Sequence, residues 1–126
     1  MRLIIGGAYQ GKAEYAVNMY GLCPKEIVDC EHFDPKDFDS LKCVCNYHCF
    51  IKNQLQNGAD IIKITSEIIS GNPELIIIMD EVGSGIIPME RFERKWREAV
   101  GRTGCYLAAH AESVERIVCG YGVRLK

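Results

Sequence analysis

The sequence predicts an α/β fold, a three-layer sandwich with a mostly parallel sheet and helices on both faces. Three observations carry this. Short apolar runs alternate with stretches of helical period along the chain. Residues 75–79, LIIIM, form a continuous apolar run between turn signals, the pattern of a strand covered on both faces. A glycine-rich turn joins the first apolar run directly to the first helical stretch.

The first strand is expected at residues 2–6. A helix follows over 12–20, where Ala13, Ala16, Val17 and Tyr20 fall at helical spacing. Gly21 and Pro24 stop it. Residues 26–30 read as a second strand and the acidic connector after it as loop or a single helical turn. Residues 41–46 alternate as a third strand. A helix over 47–57 ends at Asn57-Gly58, and another from 59 or 60 to 70 buries Ile61, Ile64, Ile68 and Ile69. Gly71-Asn72-Pro73 breaks it. The longest helix is expected over 88–111, with Met89, Phe92, Trp96, Val100 and Leu107 on its apolar side and Glu90/Arg94, Glu93/Arg97 and Glu98/Arg102 as i,i+4 pairs. Gly101 and Gly104 weaken its second half by roughly 1 kcal/mol each relative to Ala, which a kink or a close backbone approach would explain. The last strand is placed at 116–119, with 120–126 as a tail.

At 126 residues the chain is expected to be one domain. Its net charge of −2 and pI near 5.9 give no electrostatic case for nucleic-acid binding. No apolar run approaches the about 20 residues that span a bilayer, so no membrane association is expected. Leu3-Ile4-Ile5 is too short for the apolar region of a signal peptide, so the expected location is cytoplasmic. Seven cysteines, an odd number, then read as small apolar residues of a reduced compartment. Cys43, Cys45, Cys49 and His48 lie close in sequence, but C-x-C-x-x-x-C is not a zinc spacing.

Two motifs carry chemistry. Gly6-Gly7-Ala8-Tyr9-Gln10-Gly11-Lys12-Ala13 has the G-x-x-x-x-G-K spacing of a phosphate-binding loop. Its glycines let backbone N–H groups converge on phosphate oxygens, Lys12 supplies a point charge, and the following helix adds its positive end. Ala13 stands where a Ser or Thr hydroxyl would ligate magnesium. The second motif is Ile76-Ile77-Ile78-Met79-Asp80-Glu81, four apolar residues ending in acids, the pattern of the strand whose carboxylate holds Mg²⁺ beside such a loop. Asp80 is therefore the expected magnesium residue.

A family resemblance appears in residues beyond these motifs. Asp80-Glu81-Val82-Gly83-Ser84-Gly85-Ile86-Ile87-Pro88, Arg97-Glu98-Ala99-Val100-Gly101-Arg102, Leu107-Ala108-Ala109 and residues 118–126 resemble the C-terminal half of the adenosylcobinamide kinase / adenosylcobinamide-phosphate guanylyltransferase family. Gly6-Gly7-Ala8-Tyr9-Gln10-Gly11-Lys12-Ala13 is similar to that family's G-G-A-R-S-G-K-S, and residues 46–53 to its D-C-L-T-x-W-x-x-N segment. The resemblance covers about residues 1–20 and 75–126.

The resemblance implies a P-loop NTPase-like, RecA-like fold and a homotrimer. It implies phosphorylation of the adenosylcobinamide hydroxyl, followed by GMP transfer from GTP through a guanylyl-histidine. Its small-molecule partners would be ATP or GTP with Mg²⁺, and a corrinoid. Lys12 would stabilise the transferred phosphate, Asp80 would position magnesium, and Glu81 would be the base. The chain is shorter than its relatives after the second strand, where their guanylylated histidine lies. His32 and His48 are the two candidates for that role. A second reading, motivated by Ala13 and the shortened segment, is a nucleotide-binding paralogue with a regulatory or assembly role.

Overall fold

A computed structural model describes residues 1–82 and 90–126. A six-stranded, mostly parallel sheet and, among the described residues, four α-helices make an α/β architecture. The elements are β1 (Arg2–Gly6), α1 (Lys12–Tyr20), β2 (Ile27–Asp29), β3 (Cys43–Cys45), α2 (Tyr47–Gln56), α3 (Ile61–Gly71), β4 (Ile76–Asp80), α4 (Arg91–His110), β5 (Ser113–Val118) and β6 (Tyr121–Arg124). Short 3₁₀ turns at Pro24–Glu26 and Pro35–Phe38 punctuate the connections, the second falling in the acidic connector as a single turn.

The strand order is β2-β3-β4-β1-β5-β6. β1 is central and pairs in parallel with β4 and with β5. The chain leaves β1 for the far edge of the sheet, returns through β3 to β4, and then crosses β1 to reach β5. Reversed direction with one crossover hand puts α1 on one face and the later helices on the other.

Alternation along the strands fills both faces. Leu3, Val44, Ile77, Met79 and Val114 meet Tyr47, Phe50, Ile51, Ile61, Ile68, Val100 and Leu107 on one side. Ile4, Cys43, Ile76, Ile78 and Ile117 meet Ala16 and Leu22 on the other. This is why β4 reads as an unbroken apolar run.

Local signals end the helices. Gly21 closes α1 in the left-handed region at φ 64°, and the Asp60 carboxylate caps α3 by accepting from the Lys63 N–H. Two sequence expectations need correction at the C-terminus. The fifth strand starts at Ser113 rather than 116, and residues 121–124 form an antiparallel strand rather than a tail. Cys119 (φ 50°) and Gly120 (φ 81°) both take left-handed conformations, which makes a two-residue hairpin turn whose twist suits the flanking strands. The expected start of the long helix at Pro88 and Met89 lies outside the described residues. No helix among the described residues is long and apolar enough to cross a membrane.

Candidate functional site

The two motifs meet because their strands are neighbours in register. Gly6, the last residue of β1, pairs with Asp80, the last residue of β4. The Glu81 N–H then donates to the Gly6 carbonyl at 2.8 Å. The glycine loop and the two acids therefore leave the sheet side by side, at the C-terminal end of the parallel strands where α/β sheets bind ligands.

The loop needs glycine at its two ends, Gly6 and Gly11. A Cβ on Gly6 would lie 2.6 Å from the Ile117 carbonyl oxygen, so β5 can pass this close only to a glycine. Gly11 takes φ 89° and opens α1. Between them, Gly7, Ala8, Tyr9 and Gln10 turn the chain, with Tyr9 at φ 61° and fully exposed at the tip. Gln10 ties the loop to the β5–β6 hairpin. Its carbonyl accepts from the Gly120 N–H at 2.8 Å, and its side-chain Oε1 from the Cys119 N–H at 2.7 Å.

Lys12 sits in the first turn of α1 and is 8% exposed. Its ammonium donates to the Gly7 carbonyl at 2.6 Å and lies 2.7 Å from Asp80 Oδ1. A buried ammonium must be compensated, and these two oxygens do so. Asp80 has a second neighbour in His48, from the first turn of α2. The Asp80 N–H donates to His48 Nδ1 at 3.1 Å, and His48 Nε2 stands 3.5 Å from Asp80 Oδ2. An accepting Nδ1 leaves the proton of the neutral ring on Nε2, facing the carboxylate. Burial holds the imidazole below its ordinary range and outweighs the opposing pull of Asp80; the Lys12 charge adds to the lowering. The Trp96 indole N–H donates to the His48 carbonyl at 2.8 Å, so Trp96 braces α4 against α2, and Lys52 lies over its ring at 4.5 Å.

Glu81 is engaged differently. Both its oxygens accept from the Arg116 guanidinium, at 3.0 to 3.2 Å. Arg116 was not singled out from the sequence, and neither was the Gln10 clamp. Both are pairings across large sequence separation, which local periodicity does not encode.

Ala13, exposed on α1, offers no hydroxyl. Of the two candidate histidines, His48 is in the site. His32 is exposed, with the Glu31 carboxylate and the Asn53 amide each 3.4 Å from its ring nitrogens. All seven cysteines are free. Burial raises the thiol pKa values of Cys30 and Cys43, the latter to about 12. Among the described residues no cluster of three or more His, Cys, Asp or Glu is placed to hold a metal ion. Asp80 is the carboxylate nearest the loop lysine. It suits an ion such as Mg²⁺, which keeps several waters and takes one or two protein carboxylates alongside phosphate oxygens.

Comparison with known proteins bears on this arrangement. The family described as cobinamide kinase / cobinamide phosphate guanyltransferase matches residues 37–125. That stretch contains His48, Asp80, Glu81 and Arg116, and leaves the glycine loop and His32 outside. The bifunctional adenosylcobalamin biosynthesis protein CobU of Salmonella typhimurium is 40% identical over 53 residues, 42% of this chain and 29% of that protein. The protein of the same name from Escherichia coli shows the same identity and coverage. The match thus spans less than a third of the length of these relatives. The family match itself runs from the 3₁₀ turn before β3 to the end of the hairpin, over β4 and the two acids at its C-terminal end. This chain belongs to the cobinamide kinase / cobinamide phosphate guanyltransferase family.

Proposed function

We propose that the chain has a P-loop NTPase-like, RecA-like fold, binds ATP or GTP with Mg²⁺ on Gly6–Lys12, and transfers a phosphoryl group to the hydroxyl of a cobinamide in cobalamin biosynthesis. The observation that carries this is the Lys12 ammonium, set between the loop carbonyl of Gly7 and Asp80 Oδ1. A β/γ-phosphate entering the loop would meet that charge, the N–H groups of Gly7 to Ala13, and the positive end of α1. Lys12 would stabilise the negative oxygens of the transferred group.

Asp80 would hold magnesium, which when bound neutralises phosphate charge. Glu81 would take the proton of the acceptor hydroxyl once Arg116 leaves it. A γ-phosphate offers Arg116 a competing, bidentate anion. Neither histidine supports the guanylyl step in the same way. Both His48 nitrogens face Asp80, and the His32 ring nitrogens face Glu31 and Asn53.

The test is conversion of ATP or GTP to the diphosphate with adenosylcobinamide present. Turnover no greater than that of a Lys12→Ala control at saturating substrate would sink the reading. Incubation with labelled GTP tests the histidines: acid-labile GMP on His32 or His48 would restore the guanylyl step. A homotrimer acting in the cytoplasm, without nucleic acid or membrane, completes the proposal; light scattering measures the assembly.

Ala13 favours a second reading, a paralogue that holds nucleotide without turning it over and serves a regulatory or assembly role. Tight binding that does not depend on magnesium, with no product by chromatography, would select it.

A further inference from the structure

Between α4 and the sheet lies a cleft of about 400 Å³. Leu3, Ile5 and Met79 form its sheet side, and Gly101, Gly104 and Cys105 its helix side. Protein interiors rarely leave such volume unfilled, and it falls in the size range of small-molecule sites. Asp80 and Glu81 also line it. Asp80, whose carboxylate meets Lys12, is thus among the residues that border an apolar chamber.

The helix glycines explain how the chamber stays open. A close backbone approach, the ordinary reason for a helix glycine, does not apply at Gly101. Among the described residues, a Cβ there would meet nothing within 4 Å. At Gly104, among the described residues, it would meet the end of the Met79 side chain at 3.4 Å. The helix accepts two poor helix formers and, among the described residues, gains no packing from the first of them.

We propose that this cleft receives an apolar edge of the corrinoid acceptor, with the hydroxyl-bearing arm directed to Asp80 and Glu81. The inference rests on the kinase reading and adds the place where the acceptor is held. Three features select this occupant. The lining is apolar, which suits the ring methyl groups that lie between the amide arms of a corrinoid edge. The cleft shares Asp80 and Glu81 with the phosphate site, so one ligand can fill it and reach a transferred phosphate. Lys126 lines the cleft, and its ammonium, which donates to the Ala108 and Ala109 carbonyls, has a third N–H for an amide oxygen of the acceptor. The whole corrinoid is larger than the cleft, so only an edge enters.

The experiment uses the full chain and cobinamide as probe, by equilibrium dialysis with a saturating non-hydrolysable nucleotide. Gly101→Leu places a side chain in the cleft and replaces a poor helix former with a good one. The expected result is a higher melting temperature, unchanged nucleotide affinity and cobinamide affinity lower by about tenfold or more. Gly101→Ala, which adds one methyl, should show a smaller loss in the same direction. In the wild type, cobinamide should slow alkylation of Cys105 and leave that of Cys23 unchanged. Cobinamide binding equal in wild type and Gly101→Leu, with turnover intact, would overturn the cleft and leave the kinase reading standing. Wild type that binds nucleotide but no cobinamide would overturn both. Loss of an oligomer in Gly101→Leu, with cobinamide binding unchanged, would assign the cleft to a second copy of the chain and overturn the proposal.

Discussion

Lys12 and Asp80 depend on each other. Each is drawn out of bulk water, and each supplies the other's nearest opposite charge at 2.7 Å. Removing Lys12 takes away the nearest cation of the Asp80 carboxylate, leaves it beside His48 Nε2 at 3.5 Å, and strips the loop of its charge. Lys12→Ala is expected to lower phosphoryl transfer by about 10²- to 10³-fold, read as kcat with adenosylcobinamide. Ala13→Ser tests the missing ligand from the other direction: it should raise turnover and steepen its magnesium dependence. An unchanged magnesium titration would show that position 13 does not face the ion. Lys12, Asp80 and Glu81 were all legible in the sequence, because a glycine loop and an acid-terminated apolar run are local patterns. The Arg116 guanidinium on Glu81 was not. It depends on β5 lying beside β1, with Ile5 opposite Arg116, and nothing near residue 116 announces that neighbour.

At the scale of elements, α1 is fastened to the sheet by a buried carboxylate. Glu115 on β5 is 8% exposed and accepts hydrogen bonds from both the Tyr15 and Tyr20 hydroxyls of α1. The lysine-bearing helix is thereby held over β5, one strand from the loop. Hydrogen bonds to a charged acceptor are worth about 1.5–3 kcal/mol each. Glu115→Ala loses two but frees a half-exposed pair of phenols to reach water, so a destabilisation of about 2 kcal/mol is expected in urea unfolding. The hydrogen bond to Glu115 raises the Tyr15 pKa to about 12, with burial adding to it; at Tyr20 burial acts first and Glu115 second. A raised phenol pKa means that the folded state keeps its proton longer than the unfolded one. The contribution is complete below pH 10 and is lost as pH rises from about 10 through 12. Tyr15→Phe should therefore flatten the fall in stability over that window, measured as urea midpoints against pH. The sequence reading left Glu115 outside the last strand, which it began at 116. It also missed β6, because its turn is Cys-Gly where a hairpin signal would be Asn-Gly. The left-handed φ of Cys119 is held from outside, by the Gln10 side chain on its N–H.

At the scale of the whole molecule, the alternation of strands and helices was readable because each element carries its own period and its own stop. The strand order was not, since it depends on which apolar faces find each other. That order matters to function: with β1 between β4 and β5, one crevice gathers the loop, both acids and Arg116. The two apolar clusters lie on opposite faces of the same strands, with Leu3 and Ile4 of β1 and Ile77 and Ile78 of β4 divided between them. Neither cluster can be lost while the other keeps its strands in register, so the chain should unfold as one domain. Far-UV circular dichroism follows all the elements, and the single tryptophan, Trp96, follows the α4–α2 contact. Their thermal transitions should coincide. Nucleotide bound only by the folded state, at 100 times its Kd, adds about 2.7 kcal/mol. For a chain of this size, that moves both transitions up together by about 10 °C. Lys12→Ala should unfold in one transition and, at the same nucleotide concentration, show a smaller shift. Two separated transitions in the wild type would mean that α4 and its face fold apart from the loop, and that the crevice forms only when the two halves dock.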